Sequence, residues 1–115
     1  MPVIHIFHQG GGFQVRKILR DVCADVAQTL EVPVTKVWAL WHPVDREMFH
    51  RPDWDEDPGR GPIVRVFCRR SHAATRVQAM MQTLRNSLSV ALGCGTTSIF
   101  VQVIRVDDEE VINVS

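Results

Sequence analysis

The chain has 115 residues, 45% hydrophobic and 23% charged, the balance of a soluble globular domain with one modest core. Thirteen basic and thirteen acidic side chains cancel, which argues against a nucleic-acid or anionic-membrane partner, and no apolar stretch is long enough to span a bilayer. The start lacks a basic segment followed by a long apolar one, and Cys23, Cys68 and Cys94 form no C-x-x-C pair, so the expectation is a cytoplasmic protein with free, buried thiols.

In chain order, Pro2-Val3-Ile4-His5-Ile6-Phe7 is rich in β-favouring residues and predicts a strand. Gly10-Gly11-Gly12 separates it from a helical pattern, in which Val15, Ile18, Leu19, Val22, Val26 and Leu30 follow the i, i+3, i+4, i+7 rhythm. Pro33 is expected to end that helical region, and residues 37–41 predict a second strand. Residues 48–61 carry Pro52, Pro58, Gly59 and Gly61 among charges and read as a connecting loop, packed down by Phe49 and Trp54. Pro62-Ile63-Val64-Arg65-Val66-Phe67 then repeats the opening strand. Ser71 is the expected N-cap of a second helix through Val77, Met80, Met81, Leu84, Leu88 and Leu92. Gly93 and Gly95 stop it, residues 99–103 predict a fourth strand, and Val111, Ile112 and Val114 offer an edge strand or a contact with a neighbouring chain.

Strand, helix and strand recur in register, so the chain reads as one β-α-β unit used twice, within a single domain spanning residues 1–115. The repeats cover about 2–47 and 62–109, joined by the loop 48–61. The fold class is α/β (α+β), with a four-stranded sheet and both helices on one face. Either each unit's strands are neighbours, joined by right-handed crossovers, or the units interleave as a split β-α-β; periodicity does not choose. The second strands are apolar at both parities, as for strands buried on both faces. Nothing in the chain is left to cover the second face, so the protein is expected to oligomerise.

The chemistry-bearing position is Pro2. A small second residue permits removal of Met1, which leaves a secondary amine at the start of a strand. A free α-amino group titrates at roughly 7.7–8.0, and burial or nearby cations lower that value towards neutrality. Such a nitrogen can act as a base or, protonated, as an acid. Arg69-Arg70, between a strand and a helix, supplies guanidinium forks suited to a carboxylate. His5, His8, His42, His50 and His72 form no H-x-x-x-H or H-E-x-x-H pattern, and neither a P-loop nor a dinucleotide fingerprint is present, so no metal and no organic cofactor is expected.

The sequence resembles the tautomerase superfamily. The likeness rests on Pro2-Val3-Ile4-His5-Ile6, the helix leading to Val32-Pro33-Val34-Thr35-Lys36-Val37, Phe49 beyond the second strand, and Arg70-Ser71 in the second unit. Length and duplication look most like the two-unit branches: malonate semialdehyde decarboxylases, cis-3-chloroacrylic acid dehalogenases and phenylpyruvate tautomerase-like proteins. The resemblance implies a homotrimer with Pro2 as the catalytic acid–base. It implies substrate contacts from Arg70 and Arg69, an apolar wall from Trp38 and Phe49, and a small carboxylate substrate, with keto–enol tautomerisation ahead of hydration, dehalogenation or decarboxylation; the alternative from another class is a non-catalytic protein of this fold that binds a small ligand or a partner chain. The chain also departs from the pattern. Gly10-Gly11-Gly12 and Trp38 stand where single-unit members carry arginines, and Thr35 or Lys36 stands near the place of the decarboxylases' aspartate. Among Asp107, Asp108, Glu109 and Glu110, none aligns clearly with the dehalogenases' water-activating carboxylate.

Overall fold

The computed structural model describes residues 2–57 and 60–112. Strand β1 (Val3–His8) leads through the glycine-rich segment into helix α1 (Val15–Leu30) and strand β2 (Trp38–Pro43). A short helix, α2 (Pro52–Glu56), lies in the connection. Strand β3 (Ile63–Arg69), helix α3 (Ala74–Leu92) and strand β4 (Phe100–Val106) then repeat the first pattern. One mixed sheet results, in the order β2-β1-β3-β4, with β1 parallel to β2, β3 parallel to β4 and β1 antiparallel to β3. Each unit's strands are therefore neighbours, the first of the two arrangements left open by the periodicity.

The apolar rhythm explains which side is covered. Ile18, Val22, Val26 and Leu30 of α1 and Val77, Met80, Leu84 and Leu88 of α3 are buried together with Ile4, Ile6, Val64 and Val66 of the two central strands. Helix α1 stops at Leu30, ahead of Pro33, because Glu31 turns into the left-handed region (φ 56°) and returns its N–H to the carbonyls of Ala27 and Gln28. A non-glycine residue there costs about 1–2 kcal/mol. Arg76 of α3 offsets part of it by donating to Leu30 O and pairing with Glu31 at 2.8 Å. Ser71 is not the N-cap expected of it. Helix α3 begins at Ala74, and Ala73 precedes it without a side-chain cap. The sequence places a serine near the helix start, but the turn after β3 spends two more residues before winding begins.

The other face of the sheet lies open. Trp38 (41% exposed), Leu40 (45%), Phe67 and Phe100 (53%) project from it, so among the described residues the second strands are covered on one side only. Residues 111 and 112 add no strand, Ile112 is fully out in solvent, and Val114 lies outside the described residues.

The connection between the units is locked rather than loose. Trp54 is 1% exposed, donates its indole N–H to Gly61 O at 3.0 Å and meets Phe49 edge-on at 4.9 Å. Arg51 lies over the Trp54 ring and donates to Asp53, Gly61 O and Ser98 O. Gly61 is held by this arrangement, since a Cβ there would fall 2.5 Å from Ile99 Cγ1 and 2.9 Å from Ser98 O. Gly61→Ala is expected to destabilise the fold by about 1–3 kcal/mol in urea titration. Gly11→Ala, with nothing within 4 Å of the added carbon, serves as the near-neutral comparison. Equal midpoints for the two variants would show that the lock is not tight.

Candidate active site at the amino-terminal strand

Proline suits the position before a strand, where it has no ladder donor to lose. Pro2 is buried there, and its carbonyl accepts the Trp38 N–H at 3.2 Å. The antiparallel ladder sets Val3 opposite Phe67, which carries Pro2 alongside Cys68, and Cys68 in turn neighbours Arg105 on β4. By strand alternation, Pro2, Cys68 and Arg105 continue the helix-covered side that holds Ile4, Val66 and Val103. The start of β1 thus meets the ends of β3 and β4 and the turn into α3.

That junction is dense in charge. Arg70 Nε donates to Asp107 at 2.6 Å and Arg69 Nη1 to Asp108 at 3.3 Å. The Arg70 N–H donates to Val106 O, which stitches the end of β4 to the turn. Arg105 Nη2 donates to Arg70 O at 2.7 Å and also to His72 O. Burial lowers the His72 pKa, reinforced by the positive charges of Arg105, Arg76 and Arg69, so its imidazole is neutral at pH 7. Burial raises the Cys68 thiol, with Arg105 opposing, which makes it an inert thiol rather than a nucleophile.

The residues singled out by sequence fall in two places. Pro2, Trp38, Arg69 and Arg70 share one end of the sheet. Trp38 presents its ring to the open face, with its indole N–H on Thr35 O at 3.1 Å. A cavity of about 70 Å³ beside it in the sheet is lined by Val3, Phe67, Cys68, Arg69, Val106 and Val111. Phe49 lies elsewhere: it packs on Trp54, at the end of β1 remote from Pro2, so within one chain it cannot wall the same site. The arginine pair is present but already neutralised by Asp107 and Asp108. Arg105 and His72 are the residues that sequence reasoning underrated. Nothing in the spacing says that residue 105 comes level with residue 2; the cross-unit pairing does.

The remaining histidines divide by face. His8 is 1% exposed, accepts the Gly10 N–H on Nδ1 and donates from Nε2 to Arg60 O, which fixes its tautomer and ties the glycine segment to the connection. His5 and His42 meet on the open face, His5 Nδ1 to His42 Nε2 at 2.8 Å, with ring planes 14° apart and centroids 5.1 Å apart. The nitrogens point at one another, which is an N–H···N hydrogen bond. Phe7 stacks on His42 at 4.5 Å and Phe67 stands edge-on to His5 at 5.4 Å. Arg65 is the cross-strand neighbour of His5, and no carboxylate projects from the four strands on this face. Burial, then the charge of His42, lowers the His5 pKa. Among the described residues no group of three or more His, Cys, Asp or Glu is placed to hold a metal ion, and no helix is long and apolar enough to cross a membrane.

No family model and no curated protein matches the sequence. Solved structures do. The chain superposes on native fused 4-OT with a TM-score of 0.85 at 13% identity, covering 96% of this chain and 91% of that one. A member of the cis-3-chloroacrylic acid dehalogenase family gives 0.77 at 12% identity over 96% and 79%. Malonate semialdehyde decarboxylase gives 0.70 at 14% identity over 96% and 88%. Two wild-type fused 4-OT structures, at TM-scores of 0.78 and 0.68, are trimers, one asymmetric and one symmetric. The fold is the one expected from the resemblance, that of the tautomerase superfamily.

Because the folded-state pKa of His5 lies below its unfolded value, near 6.5, the unfolded chain takes up this proton first as pH falls. Its contribution to stability is complete above that value and is lost on acidification through the lowered pKa; His72 acts in the same direction. The urea midpoint is expected to fall between pH 7.5 and pH 5, and to fall less in His5→Asn at the same protein concentration. Parallel pH profiles for the two proteins would contradict this origin.

Proposed function

We propose that the protein is a cofactor-independent enzyme in which the nitrogen of Pro2, freed by removal of Met1, moves a proton on a small 2-oxo or unsaturated carboxylic acid. Met1 lies outside the described residues, so the free amine belongs to this proposal. The observation that carries it is the antiparallel register of β1 and β3, which sets residue 2 beside a buried row ending in Arg105 and next to the arginine-bearing turn. The fold shared with fused 4-OT, the dehalogenase family and the decarboxylase supports the same reading.

Keto–enol tautomerisation asks least of this site. The free Pro2 amine would take a proton from the carbon next to the oxo group and return it at the other end of the enol system. Guanidinium groups nearby would stabilise the charge that develops on oxygen. The same cations would disfavour a protonated Pro2 and hold its pKa below that of an ordinary amino terminus. Hydration or dehalogenation has a supporting observation of its own, since Asp107 and Asp108 pair with the arginine-bearing turn at the Pro2 end of the sheet and either could activate a water. In that use Pro2 would act protonated.

The open sheet face supports a homotrimer. Its apolar rows have no cover among the described residues, so adjoining copies would supply it and with it a further wall for the Pro2 site. Phe49 of another copy is the proposed source, since it cannot reach from its own. Sedimentation at micromolar concentration is expected to give a trimer, and a monomer alone would contradict this.

The test of the nitrogen separates chemistry from folding. A protein retaining residues ahead of Pro2 is expected to fold and assemble but to lose at least about 100-fold in kcat/KM on phenylpyruvate, because its amide nitrogen has no basic pair. For the free-amine form, a base mechanism gains activity as pH rises through the Pro2 pKa, whereas an acid mechanism loses it. Undiminished turnover with Pro2 acylated would end the proposal.

A further inference from the structure

Three arginines converge on the Pro2 end of the sheet, and they are not equivalent. Arg69 and Arg70 each face an aspartate, so a substrate carboxylate approaching them has to displace an existing partner. Arg105 meets no carboxylate among the described residues. One of its terminal nitrogens is spent on the carbonyls of Arg70 and His72, and these are dipoles rather than compensating charges. Its Nε–H is buried without a partner among the described residues, a rare condition for a guanidinium donor. An unmet donor of this kind costs about 1–3 kcal/mol in the empty protein, and is tolerated where an acceptor arrives in function.

The position of that donor is informative. Arg105 lies beside Cys68 in the row that begins with Pro2, on the same side of the sheet. His72, neutral and half-buried, is close enough to feel Arg105, Arg76 and Arg69 together. An electrically unbalanced guanidinium, an unused N–H and a neutral imidazole therefore gather at the end of the sheet where Pro2 lies, with Cys68 between Pro2 and Arg105 in the row.

We propose that Arg105, through Nε and assisted by His72, is the carboxylate anchor of the Pro2 site, and that Arg69 and Arg70 are chiefly structural ties to Asp108 and Asp107. This rests on the reading of Pro2 as the acid–base group and names the residue that orients its substrate. The carboxylate would satisfy the bare donor and the unbalanced charge at once, while the Arg105 bonds to Arg70 O and His72 O keep the guanidinium plane fixed. The site would accordingly select acids over uncharged carbonyl compounds of the same shape.

The contact can be read on the unaltered protein. Side-chain Nε–H signals followed by ¹H–¹⁵N NMR during titration with phenylpyruvate should show the Arg105 signal shifting and saturating with the ligand. Arg105→Met is expected to weaken binding at least about ten-fold, and Arg70→Met less than about three-fold. Arg105→Lys keeps the charge without the Nε donor and should fall between. The methyl ester of phenylpyruvate should bind wild type and Arg105→Met alike; a merely structural role for Arg105 would weaken acid and ester together. An unmoved Arg105 signal alongside a shifting Arg70 or Arg69 signal overturns the assignment, as does Arg105→Met binding the acid like wild type, or wild type failing to bind it. The same titration with Pro2 acylated keeps the two proposals apart. Binding through Arg105 without turnover in any form of the protein leaves the anchor standing and removes the catalytic proline. Proline-dependent turnover that ignores Arg105→Met does the reverse.

Discussion

The pairing of β1 with β3 is the interaction on which the rest of this molecule depends. It is the one ladder that joins the two β-α-β units, and it runs antiparallel. A parallel join would have set the two starting prolines side by side. The antiparallel one sends them to opposite ends, so the first residues of each unit meet the last residues of the other. Pro2 is thereby delivered to Cys68 and the arginine-bearing turn, and Pro62 to His8, Gly61 and the Trp54 lock. The helices fall on one side, packed together on the central strands, as right-handed crossovers in both units would place them.

Charge at the two ends follows from the same geometry. At the Pro62 end every prominent donor has an acceptor: Arg51 and Trp54 are committed to Gly61, Ser98 and Asp53. At the Pro2 end one buried guanidinium N–H, that of Arg105 Nε, has no partner among the described residues. A polar network that is complete specifies structure, whereas an incomplete one is costly unless something else completes it. The duplicated units have kept a common backbone while diverging in this respect.

Much of the fold was legible before any coordinates. The two helical rhythms, the four strands and the duplication all rest on local periodicity, and the structure places Ile18, Val22, Val26 and Leu30 with Val77, Met80, Leu84 and Leu88 as that periodicity requires. What could not be read was relational. Arg69-Arg70 and Asp107-Asp108 were each conspicuous in the sequence, but that they cancel one another depends on β3 and β4 ending level. Arg105 stands out only once the strand pairing puts it in the row of Pro2 and Cys68. Phe49, matched by resemblance to a pocket, belongs in its own chain to the Trp54 cluster. Ser71 failed as a cap for a smaller reason: helix starts depend on backbone turning angles as well as on which polar residue is near.

The duplication also leaves a pair of twin hydrogen bonds, Trp38 N–H to Pro2 O at 3.2 Å and Phe100 N–H to Pro62 O at 3.1 Å. They are the same bond in the same place in each unit, yet one closes a strand that starts near the chain terminus and the other a strand clamped from both sides. Amide exchange at Phe100 has to await the release of the Arg51–Trp54 clamp, which has no counterpart beside Trp38 among the described residues. The two poles are thus held differently: the Pro62 pole by a guanidinium and an indole that both bind Gly61 O, the Pro2 pole by arginine–aspartate pairs and backbone carbonyls.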